Sequence, residues 1–90
     1  MKPYLVTIEC ETADVTWLER SIVRSNTMPT EAEIIYDVAS EYVGGDSDEA
    51  GVSDYIHGDK FVTEEMTQTV YRIEEITESE AEVLSKFEII

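Results

Sequence analysis

Carboxylates are the side chains here most able to do chemistry, and residues 44–54, GGDSDEAGVSD, gather four of them. Acidic oxygens spaced around a glycine are the pattern of a calcium loop, with ligands at positions 1, 3 and 5, Gly at 6 and a bidentate Glu at 12. Counting from Asp46, the chain supplies Asp48 at the third position, Gly51 at the sixth and Asp54 at the ninth. Ala50 and His57 fill the fifth and twelfth, so one side-chain ligand and the bidentate carboxylate are missing. Gly58 does not favour the helix that should follow. A solvated acidic loop is the expectation, with a calcium-binding module as the third of three readings.

Nucleophilic and acid–base chemistry find less support. His57 is the only histidine and Cys10 the only cysteine, and neither carries a flanking signature. Cys10 follows Tyr4, Val6 and Ile8 at alternate positions, as a small buried residue on a strand would. Glu64-Glu65 and Glu74-Glu75 are adjacent, and neighbours on a strand face opposite sides of a sheet. Neither pair is therefore poised to share a proton. There is no glycine-rich phosphate loop and no G-x-S-x-G elbow. No catalytic residue, metal or cofactor is expected.

The acids have a second possible use, as a charged surface. Glu33, Asp37 and Glu41 recur every fourth residue, a line along one side of a helix with about 6 Å between members. Such like-charge spacing destabilises a helix by about 0.2–0.5 kcal/mol per pair. Asp46, Asp48, Glu49, Asp54 and Asp59 follow with no base among them, and Glu74, Glu75, Glu78, Glu80 and Glu82 come later. Solubility needs fewer charges than this. These thirteen residues are the candidate partner-binding set.

The elements that must position them can be read from periodicity. Residues 4–12 alternate, with Tyr4, Val6, Ile8 and Cys10 on one side and Leu5, Thr7, Glu9 and Glu11 on the other, as in a half-buried strand. Ala13-Asp14 can turn the chain into a second strand over 15–24. There Leu18, Arg20, Ile22 and Arg24 share one face, and Trp17, Glu19, Ser21 and Val23 the other. Residues 30–43 read as a helix opened by the capping box of Thr30 and Glu33 and stopped by Gly44. Its apolar stripe is Ile34, Ile35, Val38, Ala39 and Tyr42. Residues 45–59 read as a polar loop, 60–62 as a short strand and 67–76 as a stronger one. Thr77 with Glu80 is a second capping box, opening a short helix with Ala81, Leu84 and Phe87 on one side.

The order β-β-α-(β)-β-α predicts an α+β fold. A sheet of three or four mainly antiparallel strands carries one helix packed across it and a short helix at the C-terminal end. Ninety residues make one domain, 1–90, with a single small core.

Charge bounds the partners. The net charge is −15, from 21 acids against six bases. That excludes direct binding to nucleic acid or an anionic membrane, which needs Lys and Arg to displace counterions. Residues 1–30 hold four acids and three bases, whereas 31–90 hold seventeen and three. With one cysteine, no apolar run of signal length and no membrane-spanning stretch, a cytoplasmic protein is expected. A compact chain of this length is roughly 30 Å wide. Duplex DNA over that length carries on the order of 18 phosphate charges. The charge densities are comparable.

A short, strongly acidic, single-domain α+β chain without catalytic motifs resembles the small phage-encoded inhibitors of host defence. These are the anti-CRISPR and anti-restriction proteins, several of which mimic DNA. The resemblance covers the whole chain in size and charge. It implies a non-enzymatic inhibitor that occupies a basic, nucleic-acid-binding surface of a host protein, in the host cytoplasm. The alternative is a protein–protein adaptor, or a homodimer, that uses the near-neutral hairpin around Trp17, Leu18 and Ile22.

Overall fold

The computed structural model describes residues 1–42, 51, 52 and 54–87. The first hairpin pairs β1 (Lys2–Glu11) with β2 (Thr16–Ser25) along ten unbroken antiparallel positions. Thr12 closes the loop by accepting at Oγ1 from the Val15 amide at 3.2 Å, while its own amide donates to the Val15 carbonyl at 2.9 Å. Alternation of polar and apolar residues fixes this register, because a slip of one position would turn Val6 and Cys10 to solvent.

Helix α1 (Glu31–Tyr42) starts where its capping box dictates. The Glu33 amide donates to Thr30 Oγ1 at 3.2 Å, and Glu33 Oε1 accepts in return from the Thr30 amide at 3.4 Å. The expected stop at Val43 and Gly44 lies outside the described residues. Beyond it come β3 (Ile56–His57), β4 (Lys60–Val62) and β5 (Thr67–Glu75), then α2 (Glu78–Phe87). A second capping box opens α2, with the Glu80 amide donating to Thr77 Oγ1 at 3.1 Å.

The five strands form one antiparallel sheet in the order β2-β1-β5-β4-β3. The fold is α+β as expected, with more strands than the three or four read from the sequence. The extra strand is β3, inside what reads as a polar loop. Its hairpin to β4 turns on Gly58-Asp59, and Gly58 takes φ of +67°, a conformation that glycine adopts without strain. Two residues are too few to show alternation, which is why β3 is invisible to periodicity.

In β5, the register against β1 slips at Thr7/Ile8, so Arg72 faces Thr7 while Val70 faces Ile8. This bulge leaves Tyr71 as the extra residue and lets Val70 and Ile73, three apart, share one face. That face is the core. Val6, Phe61 and Val70 from the sheet meet Ile34, Ile35 and Ala39 from α1, with Val52 fully enclosed beside them. Helix α2 packs on the other face, where Leu5, Ile76, Val83 and Leu84 line a groove and Ala81 is buried. Phe87, expected on the same apolar side, remains 72% exposed. The terminal Ile89-Ile90 lies outside the described residues. The molecule measures 38 × 31 × 21 Å, a slab with a helix on each side.

Candidate functional site

Glu33, Asp37 and Glu41 are all exposed along about 12 Å of helix axis, with Glu33 turned away from the sheet and Glu41 at the flank, where it lines a cavity with Ile8, Arg20 and Phe61 of the sheet. Ile34, Ile35 and Ala39 anchor the opposite side, so the acidic line is held on a rigid support. Glu33 is partly engaged, since its Oε1 also accepts from the Thr30 hydroxyl at 3.1 Å. Asp37 and Glu41 have no side-chain partner among the described residues. Asp54 and Asp59 are exposed near β3, the strand edge beside α1. Asp46, Asp48 and Glu49 lie outside the described residues.

The C-terminal acids are placed differently. Glu74 and Glu75 project from opposite faces of β5, as their pairing with Leu5 and Tyr4 requires. Glu75 meets Lys2 Nζ at 3.7 Å, Glu74 meets Arg72 Nε at 3.2 Å and Glu78 meets Arg24. Glu80 is occupied in its cap, accepting from the Thr77 amide at 3.2 Å. Glu82 lies with Glu78, Arg24 and Lys86 around a shallow groove. No base interrupts these acids in the sequence, yet the fold brings Lys2 and Arg24 to them from distant positions, and Arg72 reaches Glu74 from two residues earlier on the same strand. They are a partly neutralised set: Glu75 stands on the α1 face, paired with Lys2, and the others lie on or beside the face away from α1.

The register also sorts the cations, which sequence reading did not foresee. Arg20 pairs with Thr7, Arg24 with Pro3, Arg72 with Thr7, and Lys60 with both Thr69 and His57. By register all four stand at positions on the face opposite α1, but Arg20, on the edge strand, also lines a cavity with Val38, Glu41 and Tyr42 of α1. Parity within β2 had already placed Arg20 with Arg24, but only cross-strand register joins Arg72 and Lys60 to them. Among the described residues Lys2 is the strand cation whose register position is on the α1 face, and it pairs with Glu75. Helix α1 carries no base. The outer side of α1 is thus free of bases, while cations stand at its margin, at Arg20 and Lys2, and on the opposite face of the sheet.

The catalytic pairings considered above do not assemble. Cys10, Gln68, Phe61 and Ile56 form one row across four strands on the core face. His57 follows Ile56 and points to the other side, three strand spacings, or about 14 Å, from β1. Glu64 and Glu65 lie in the turn closed by the Thr63 amide and the Met66 carbonyl at 2.8 Å. His57, which would take the twelfth position of a calcium loop, sits in a strand entering a hairpin and not before a helix. Among the described residues no three His, Cys, Asp or Glu side chains gather as a metal site.

Cys10 is fully buried and receives a hydrogen bond from Gln68 Nε2 at 3.4 Å. Burial pushes its thiol pKa up, and the nearby Glu19 carboxylate adds to the rise, against the weaker lowering effect of Gln68. The expected outcome is slow labelling. A thiol reagent at neutral pH should modify native Cys10 on the order of a hundredfold more slowly than the urea-unfolded chain. Comparable rates would mean that the core face of β1 is open.

No helix among the described residues is long and apolar enough to cross a membrane. Comparison with protein-family models, with curated proteins and with solved structures found no match to this chain.

Proposed function

We propose that this protein is a non-enzymatic inhibitor that uses its acidic α1 side to occupy a basic, nucleic-acid-binding surface of another protein, standing in for DNA. The segregation of charge carries the reading. Helix α1 holds no base, and Arg24, Arg72 and Lys60 stand at positions on the opposite face of the sheet, so Glu33 and Asp37 meet a partner without neutralisation from behind. Glu41, beside Arg20, and Asp54 and Asp59, near the β3 edge, extend that surface. Glu74, Glu75, Glu78, Glu80 and Glu82 face elsewhere or are engaged, and serve the overall field more than the contact. Two adjacent carboxylates that repel each other on a stable helix gain most when a cationic groove takes them up.

The test is competition at two ionic strengths. A partner captured at low salt should be released by duplex DNA, and its affinity should fall at least tenfold between about 0.05 and 0.2 M salt as charges are screened. Capture that ignores both DNA and salt would refute the mechanism.

A further inference from the structure

We propose that the cleft between α1 and β2 binds an alkylguanidinium group, carried by an arginine side chain or by a free guanidine. Helix α1 packs mainly over β3, β4 and β5, which leaves the β2 side of the sheet uncovered. Register puts Glu19 and Ser21 of β2 on the α1 face, beside Ile8 and Val6. Between them and the flank of α1 lies a cavity of about 460 Å³, the size of a small-molecule site. Ile8, Gln68 and Phe61 line it from the sheet, and Val38, Glu41 and Tyr42 from the helix.

The acceptors of this cavity are held in place. Gln68 is 8% exposed, and both of its hydrogen bonds leave through Nε2, to Cys10 Sγ at 3.4 Å and Met66 Sδ at 3.8 Å. A thioether sulfur can only accept, so the NH2 end of the amide faces the sulfurs and Oε1 faces the other way. That oxygen has no partner among the described residues, and none of their buried side-chain oxygens is left unpaired. Oε1 therefore opens into the cavity that Gln68 lines. Glu19 brings a carboxylate from β2, steadied by the Trp17 indole, whose Nε1 donates to it at 3.2 Å. Glu41 brings another from α1.

These acceptors select a cation. Arg20 also lines the cavity, but it has an interaction of its own, so an anion would meet two carboxylates beside one engaged base. The Glu19 charge is felt next door, where it helps to raise the Cys10 thiol pKa. Shape then separates one cation from another. The acceptors stand on different walls, and a guanidinium directs its donors outward in one plane, whereas an ammonium is a compact, strongly hydrated point charge. Tyr42 offers an aromatic face to that plane, and Ile8, Val38 and Phe61 suit an alkyl stem.

The probe is N-butylguanidinium, titrated into the isotope-labelled full chain and followed in its N–H spectrum. The Trp17 indole, the only one in the chain, reports on Glu19, and the Gln68 side-chain amide reports on the cavity itself. Both signals should shift and saturate, and neither should move with butylurea, the neutral analogue. Butylammonium should bind about threefold more weakly or worse. Glu19→Gln, at an exposed site, should weaken the probe about fivefold, and Gln68→Leu about tenfold. Glu82→Gln, the same change of net charge on the far side of the sheet, should leave its affinity unchanged. Equal losses at Glu19 and Glu82 would reduce the binding to counterion attraction by a body of charge −15 and overturn the proposal. A response to butylurea, or none to the probe, would overturn it too, and butylammonium binding as tightly would overturn the choice of guanidinium. The titration needs no α1 partner, so this proposal and the α1 reading fail separately. Release of a captured partner by millimolar probe would identify a partner arginine as the source, and capture unchanged by it a free guanidine.

Discussion

Asp37→Lys is expected to make the protein more stable and a poorer binder at once. In α1 the side chain sits between Glu33 and Glu41, four residues from each, with no partner among the described residues. Reversal converts two repulsive pairs into two attractive ones, a gain of about 1 kcal/mol at ordinary values for such pairs. For a domain of this size that raises the melting temperature by about 4–8 °C. The gain should shrink as salt screens it. If the α1 side enters a cationic groove, the same change sets a lysine against arginines or lysines. Close charge pairs couple by about 1.5 kcal/mol or more, so affinity should drop tenfold or further. Thermal melts and titration against the captured partner read the two effects independently. Stabilisation with unchanged affinity would remove α1 from the interface and leave its acids as a wetted surface. Lysine in place of Glu82, on the other side of the sheet, is the control, and should leave affinity nearly intact.

Local chemistry made much of the fold legible. Capping boxes at Thr30/Glu33 and Thr77/Glu80 fixed the starts of α1 and α2, because backbone donors near a helix start need local acceptors. Alternation through Tyr4, Val6, Ile8 and Cys10 identified the central strand and its buried face. β3 escaped because its only cue is the Gly58-Asp59 turn, a two-residue hairpin signal with too little strand around it. The bulge at Tyr71 escaped because an extra residue is recognised only against a partner strand. The acidic surface was half legible. The line Glu33, Asp37, Glu41 follows from helical spacing, and the structure keeps it intact. The pairing of Glu75 with Lys2 and of Glu78 with Arg24 joins residues more than fifty positions apart, and only the topology reveals it. For the same reason the sequence could count the charges but could not divide them between two sides.

The platform beneath those charges depends on one side chain more than any other. Phe61 lies in the three-residue β4 and is 1% exposed, under α1 and beside Val52. Its ring meets Tyr42 at 5.4 Å edge-on and Tyr55 at 6.1 Å, and those two rings meet each other at 4.9 Å. The cluster ties the C-terminal end of α1 to the β3–β4 hairpin, an edge with few backbone bonds of its own. Phe61→Ala removes the largest fully buried side chain among the described residues and leaves a cavity that Val52 and Ile35 cannot fill without moving. The expected loss is about 3–5 kcal/mol. A single small core often supplies little more than that, so the variant should be largely unfolded or close to it in urea titrations. Phe87→Ala deletes the same ring at a site 72% exposed and should change stability by less than about 0.5 kcal/mol. High salt should partly rescue Phe61→Ala by weakening the acidic repulsion, which is a separate source of instability from the cavity. A loss below about 1 kcal/mol for Phe61→Ala would mean that α1 is held by something other than this core, and the acidic line on it would lose its rigid support.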